Sequence, residues 1–137
     1  MNLSLGTTRA DLVRAAMEGI CFGLKRALGA LESITPVGTK ILAVGGGSRN
    51  DFWIQMYADI YGKTIVRTNI DQQAAALGAA AVDAVGTGIW DDFSPLDSVH
   101  QVIDTKTPAA GAAYAEATAR FERAGLLCGR LAKPFEI

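Results

Sequence analysis

The 137-residue chain is poor in the residues from which metal and redox sites are built. It has two cysteines, Cys21 and Cys128, and one histidine, His100. Without a Cys/His cluster, no zinc site is expected. Both cysteines fall in helix-like patterns, so two buried free thiols in a reducing cytoplasm are expected rather than a disulfide. An excess of one charge is missing too. Lys and Arg total 13 against 14 Asp and Glu, a formal net charge of -1, which argues against a basic nucleic-acid surface. No apolar run approaches the roughly 20 residues of a membrane span. The N-terminal stretch Met1-Asn2-Leu3-Ser4-Leu5-Gly6-Thr7-Thr8 is too short and polar for a signal peptide. These absences fit a cytoplasmic protein with no membrane partner. The composition that remains is that of a soluble globular domain, half hydrophobic and one-fifth charged. Neither an internal repeat nor a low-complexity linker divides it, and the length suits one small domain.

Residues 8–32 read as a long helix. Thr8 and Asp11 form a capping box, and Leu12, Ala16, Ile20, Leu24, Leu28 and Leu31 recur at helical spacing. Gly19, Gly23 and Gly29 weaken helix propensity, so a close neighbour is expected against them. Ile41-Leu42-Ala43-Val44 is a short unbroken apolar run, as in a strand buried on both faces. Ser48 and Asp51 suggest a second capping box, with a helix from about residue 49 to the stop at Gly62. Thr64-Ile65-Val66-Arg67 is a second strand, parallel to the first because a helix connects them. Asp71 is placed as the cap of a third helix over 72–86, whose alanines and Gly78 would let it lie close to a neighbour. Residues 89–107 show only weak periodicity, with a short helix near 95–99 and no further strand. Thr107-Pro108 reads as the start of a last helix to about 131, with Tyr114, Ala117, Phe121, Ala124 and Leu131 towards one side. Trp53 and Trp90 are read as packing aromatics, His100 and Arg49 as solvated, Cys21 as core filler, and Asp59 as a surface or packing residue.

The chemically suggestive stretch is Ile41-Leu42-Ala43-Val44-Gly45-Gly46-Gly47-Ser48-Arg49-Asn50-Asp51-Phe52-Trp53. A strand, a glycine turn and a helix N-terminus leave backbone N–H groups pointing outward, which suits an anion or nucleotide. Glycine keeps side chains out of the ligand's way. The same residues also suit a tight turn that binds nothing, and the glycines alone leave both readings open. Neither the Walker A pattern nor the spaced glycines of the dinucleotide fingerprint are present.

The run Gly45-Gly46-Gly47-Ser48-Arg49-Asn50-Asp51-Phe52, followed by Ala58-Asp59-Ile60-Tyr61-Gly62 and Ala75-Ala76-Leu77-Gly78-Ala79-Ala80, resembles the C-terminal part of the FGGY carbohydrate kinases. Upstream, Leu5-Gly6-Thr7-Thr8-Arg9-Ala10-Asp11-Leu12 and the residues to Ile20 look like the helix that precedes the glycine turn in that family. The resemblance covers about residues 3–90 and has a xylulokinase flavour. It implies an α/β fold: part of a ribonuclease-H-like, actin-like ATPase domain, with a short parallel sheet flanked by helices. By resemblance Gly45 and Gly46 approach the adenosine and α-phosphate, Gly47 is a small-residue position, and Asn50 can reach the adenine. The implied reaction is transfer of the γ-phosphoryl group of ATP, with Mg²⁺, to a sugar hydroxyl, as on a pentulose such as xylulose. The family's catalytic base lies outside the matched region. Asp51, Asp59, Asp71 and Asp83 are not in its motif, so no catalytic residue is assigned.

On this reading residues 1–137 form a single partial domain, the nucleotide side of a kinase, without the N-terminal sugar-binding domain. An isolated chain of that kind is expected to bind nucleotide weakly or undetectably and to have no kinase activity. Exposed strand edges would favour a homodimer or a complementing chain. A rival reading is a non-catalytic remnant or assembly module in which the turn is only structural. A third, a small Rossmann-like adenosine binder, needs another parallel strand beside the turn.

Overall fold

A computed structural model describes the backbone of residues 3–131 and the side chains of residues 3–129. The Leu131 side chain, placed above on the inner face of the last helix, lies outside the described residues. Five helices and three strands follow in the order α1 (Arg9–Glu32), β1 (Lys40–Ala43), a 3₁₀ turn (Gly46–Arg49), α2 (Asp51–Tyr61), β2 (Thr64–Thr68), α3 (Ala74–Gly86), α4 (Pro95–Val99), β3 (Val102–Lys106) and α5 (Gly111–Leu131).

Local chemistry sets several boundaries. The Thr8 hydroxyl accepts from the Asp11 N–H while the Asp11 carboxylate accepts from the Thr8 N–H, closing the expected box at the start of α1. Gly62, at φ 68°, ends α2 in the left-handed conformation that glycine adopts without strain. Strands β1 and β2 pair in parallel, Ile41 opposite Ile65, as the intervening helix requires.

A third strand overturns the reading of residues 89–107 as strandless. β3 pairs antiparallel with the outer edge of β2, giving the order β1-β2-β3, with a register slip between Arg67 and Thr68. It lies on the far side of β2 from β1, so the parallel strand that a Rossmann-like reading needs is not among the described elements.

The core lies around α2. Ile54 and Ala58 pack on Ile65, Ile41 and Ala43 of the sheet. The opposite side of α2, with Met56 and Ile60, packs on Cys21 and Phe22 of α1 and on Tyr114, Ala117 and Phe121 of α5. Full burial of each such large side chain contributes about 1.5–3 kcal/mol. Beyond this core the burial is thinner than the sequence implies. β1 is an edge strand with Leu42 46% exposed, not a strand buried on both faces. The second face of the sheet opens into a groove of about 620 Å³ lined by Leu42, Val66, Phe93, Leu96 and His100 among others. The alanine-rich α3 has Ala81 as its only buried residue, and most of its small side chains stay exposed within the described chain.

Two charged groups tie the elements together. Asp59 is 7% exposed and caps α5: its carboxylate accepts from the N–H groups of Ala109 and Ala110. That cap replaces the one expected from Thr107. Arg67 on β2 reaches three acceptors: the Ser48 carbonyl at 3.1 Å, Asp51 at 2.7 Å and Asp104 on β3. Burial works against its charge, but the hydrogen bond and charge of Asp104, with those of Asp51, outweigh it and raise the guanidinium pKa. Arg67 thus pins β3 and the glycine turn to β2.

Candidate site at the glycine turn

The turn begins where β1 stops. Gly45 has φ 87° and ψ 179°, a conformation open in practice only to glycine. Its N–H donates to the Asp71 carbonyl at 3.1 Å, and its carbonyl accepts from the Ser48 N–H at 3.0 Å and the Ser48 hydroxyl at 2.7 Å. Ser48 is 6% exposed and folds back onto the turn. The expected cap at Ser48 is therefore misplaced. A 3₁₀ turn fills residues 46–49, and α2 is capped by Asn50, whose Oδ1 accepts from the Trp53 N–H at 3.1 Å.

The three glycines differ in what they need. A Cβ on Gly47 would sit 3.5 Å from the Trp53 ring, an ordinary contact that also admits alanine. On Gly46 it would come no nearer than 4.0 Å, to the Gln72 amide, and Gly46 does not have a positive φ. Nothing among the described residues requires glycine at 46. Nor does any group among them accept from the N–H of Gly46 or Gly47, as is usual for the first donors of a helical turn.

A second loop, at the end of β2, closes on the first. Besides the Gly45–Asp71 backbone bond, the Arg49 guanidinium donates to the Asp71 carboxylate at 2.6 Å. That bond, with the N–H of Gln72, holds the Asp71 carboxyl below its usual range, and Asp71 in turn raises the Arg49 pKa. Asp71 is thus a brace across the two loops rather than a helix cap, since α3 starts after Gln73 without a side-chain cap. Arg49 is paired rather than only solvated. Both loops leave the C-terminal ends of parallel strands, where open α/β sheets bind ligands. The sequence reading missed Asp71 and Gln72 as members of this corner, because only tertiary pairing of β1 with β2 brings residue 71 to residue 45.

Residues 1–87 match the C-terminal domain of the FGGY family of carbohydrate kinases. The chain belongs to the FGGY family. Its relatives include a glycerol kinase of Rhodopirellula baltica, 36% identical over 80% of this chain and 21% of the relative. A xylulose kinase of Staphylococcus xylosus is 31% identical over 70% of this chain and 20% of the relative. Among solved structures, a ligand-bound xylulose kinase from Lactobacillus acidophilus superposes with a TM-score of 0.75 at 27% identity, covering 96% of this chain and 27% of that one. The chain therefore spans about a fifth of the length of the curated relatives and about a quarter of the solved one. The FGGY sugar kinases share the actin-like ATPase fold, which the α/β arrangement here fits.

Elsewhere, the other acids, aromatics and thiols weighed in the sequence take structural places. Asp51 pairs with Arg67 and Asp59 caps α5. His100 is half-buried with Nδ1 3.3 Å from the Thr68 hydroxyl, not free in solvent. Trp53 stacks on Tyr57, and its indole N–H donates to Cys21 Sγ at 3.3 Å. Cys21 is buried and Cys128 exposed, so only one thiol is where it was expected. A groove of about 670 Å³ lies between α1 and Phe52 and includes none of the glycines. No described helix is long and apolar enough to cross a membrane.

Proposed function

We propose that residues 1–137 are the nucleotide-side portion of a kinase that transfers the γ-phosphoryl group of ATP to a sugar or polyol hydroxyl. Gly45, Gly46, Gly47 and Asn50 receive the adenosine and α-phosphate. The observation that carries this reading is Gly46, a glycine that neither backbone conformation nor packing in the described chain accounts for, on a turn already typical of FGGY kinases. A ligand approaching that spot does account for it. Gly45 shapes the turn, Gly47 seats Trp53, and Asn50 caps α2 while leaving its side-chain NH₂ free to donate.

Mg²⁺, when bound with ATP, neutralises charge on the transferring phosphates. The described residues contain no group of three or more acidic, His or Cys side chains fit to hold it. At this corner Asp51 is committed to Arg67 and Asp71 to Arg49. On this reading the acceptor contacts and the catalytic base lie on the sugar-side domain. The acceptor is a pentulose such as xylulose or a polyol such as glycerol, the substrate classes in the names of the relatives. Without the sugar-side domain the chain binds nucleotide weakly and transfers nothing.

Calorimetric titration of ATP with Mg²⁺ into the chain tests this. Saturable binding that Gly46→Trp abolishes is expected, because the side chain would stand where the ligand approaches, while a Cβ there meets no atom nearer than 4.0 Å. Heat that the substitution leaves unchanged, or no binding at millimolar ATP, refutes the nucleotide site and leaves the assembly-module reading, in which the turn is only structural.

A further inference from the structure

The loop that closes on the glycine turn carries a side chain that the fold does not use. Gln72 follows Asp71, whose carbonyl accepts from the Gly45 N–H at 3.1 Å and whose carboxylate pairs with Arg49. The Gln72 N–H donates to that same carboxylate. The backbone at residue 72 is therefore tied to the turn. Its carboxamide is not: it is exposed and has no hydrogen-bond partner among the described residues. Nor does it serve the helix that follows, since α3 starts after Gln73 without a side-chain cap.

The end of this side chain borders the open space at Gly46. A Cβ built on Gly46 would lie 4.0 Å from Gln72 Nε2, and no other atom among the described residues comes within that distance, the glycine and its chain neighbours excepted. A polar ligand atom seated there is within reach of the carboxamide, whose flexible stem closes the remaining gap of about 1 Å.

The other polar side chains of the corner are committed. Arg49 pairs with Asp71, and Arg67 with Asp51 and Asp104. The Ser48 hydroxyl donates to the Gly45 carbonyl, and Asn50 Oδ1 caps α2. What stays open is neutral: the N–H groups of Gly46 and Gly47, the Asn50 NH₂ and both ends of the Gln72 carboxamide. An uncharged group that donates and accepts suits a sugar hydroxyl or the edge of a base, whereas phosphate is held most strongly by cations. Resting on the nucleotide site proposed above, we infer that the Gln72 carboxamide hydrogen-bonds the nucleoside bound there, at a ribose hydroxyl or at the base edge, and so helps to select it.

The test is a titration of the isotope-labelled chain with Mg²⁺ and ATP, followed by amide NMR, which reads weak affinities and sees the Gln72 NH₂ directly. That NH₂ should shift along the same saturation curve as the Gly46 and Gly47 amides. Gln72→Ala should leave the melting temperature unchanged and weaken ATP binding about two- to tenfold, the worth of one net hydrogen bond. Gln73→Ala removes the neighbouring carboxamide, which does not border Gly46, and should leave binding unchanged. Analogues separate the two partners: 2′-deoxy-ATP and 3′-deoxy-ATP lack the ribose hydroxyls, and analogues without the 6-amino group or the N7 acceptor alter the base edge. The unsubstituted chain should prefer ATP to one of these, and Gln72→Ala should abolish that preference, which a merely structural role would not do. Glycine amides that saturate while the Gln72 NH₂ stays still, or preferences that survive Gln72→Ala, overturn the inference and keep the nucleotide site. No shift at the glycine amides at any ATP concentration refutes the site and the inference together.

Discussion

Asp59 Oδ1 lies 2.6 Å from the backbone nitrogen of Ala109, fifty residues further along the chain. The same oxygen accepts from the Ala110 N–H at 2.9 Å and from the Gln55 amide at 3.1 Å. One carboxylate on α2 thus satisfies the leading N–H groups of the segment that becomes α5. The gain is twofold: α5 starts at a defined place, and its Tyr114 and Phe121 are aimed at the core.

Removing that carboxylate should cost stability. Asp59→Ala leaves two N–H groups without their acceptor beside the core and is expected to cost about 2–3 kcal/mol. Asp59→Asn keeps an acceptor and should cost less. Burial opposes ionisation of Asp59, but the N–H groups of Ala109 and Ala110 and the Gln55 amide outweigh it and hold the carboxyl below its usual range. A depressed folded-state pKa gives stability that is present above the unfolded carboxylate value of about 3.9 and lost as pH falls through the folded value. Urea midpoints at pH 7 and pH 3 check this. The gap between wild type and Asp59→Asn should narrow in acid, and a constant gap would refute the assignment.

The glycine turn predicts a graded series. Gly45→Ala forces a side chain into φ 87° and should cost about 1–3 kcal/mol. Gly47→Ala only touches the Trp53 ring and should be within about 0.5 kcal/mol of wild type. Thermal unfolding of the two variants orders them, and equal losses would mean that the turn geometry is wrong.

That series also marks what the sequence could reveal. Features written within four residues were legible, the Thr8–Asp11 box and the Gly62 stop, and so was the parallel β1–β2 pair, because a helix lies between the two strands. Features that depend on a distant partner were not. Val102-Ile103-Asp104-Thr105-Lys106 looks polar and irregular until Arg67 is opposite Asp104. Asp71 resembles a helix cap until β1 and β2 pair and bring Arg49 beside it. The cap at Asn50 was missed because an intervening 3₁₀ turn shifts the helix start, and no local residue type distinguishes that shift. Gly46 was legible as a candidate, and among the described residues neither a positive φ nor a tight packing contact accounts for glycine there.

Arg67 offers a test of that long-range pairing. Its side chain is 16% exposed and is shared between Asp51 and Asp104. Arg67→Met keeps the aliphatic stem and removes the charge, leaving the Asp104 carboxylate with Lys106 at 3.2 Å as its remaining cation. A loss of about 2–3 kcal/mol is expected. Adding Asp104→Asn should recover part of it, because the under-compensated charge is then gone. Additive losses in the double variant would show that the two residues are not coupled.

The two cysteines should behave as different chemical groups. Cys128 is exposed and Cys21 buried, so a thiol reagent at pH 8 should label Cys128 rapidly and Cys21 only in denaturant. Burial pushes the Cys21 thiol up to about 11, against the opposing hydrogen bond from the Trp53 indole. The thiol must stay neutral to stay inside. Its folded pKa is raised above the unfolded value of about 8.5, so its contribution to stability is full below that value and lost as pH rises towards 11. Urea midpoints should fall from pH 8 to pH 11, and less steeply in Cys21→Ala, which has no thiol to ionise. Rapid labelling of Cys21 in the folded chain at pH 8 would mean that α1 opens readily from α2. The core cluster of Cys21, Phe22, Met56 and Ile60 would then be a loose contact rather than the centre of the fold.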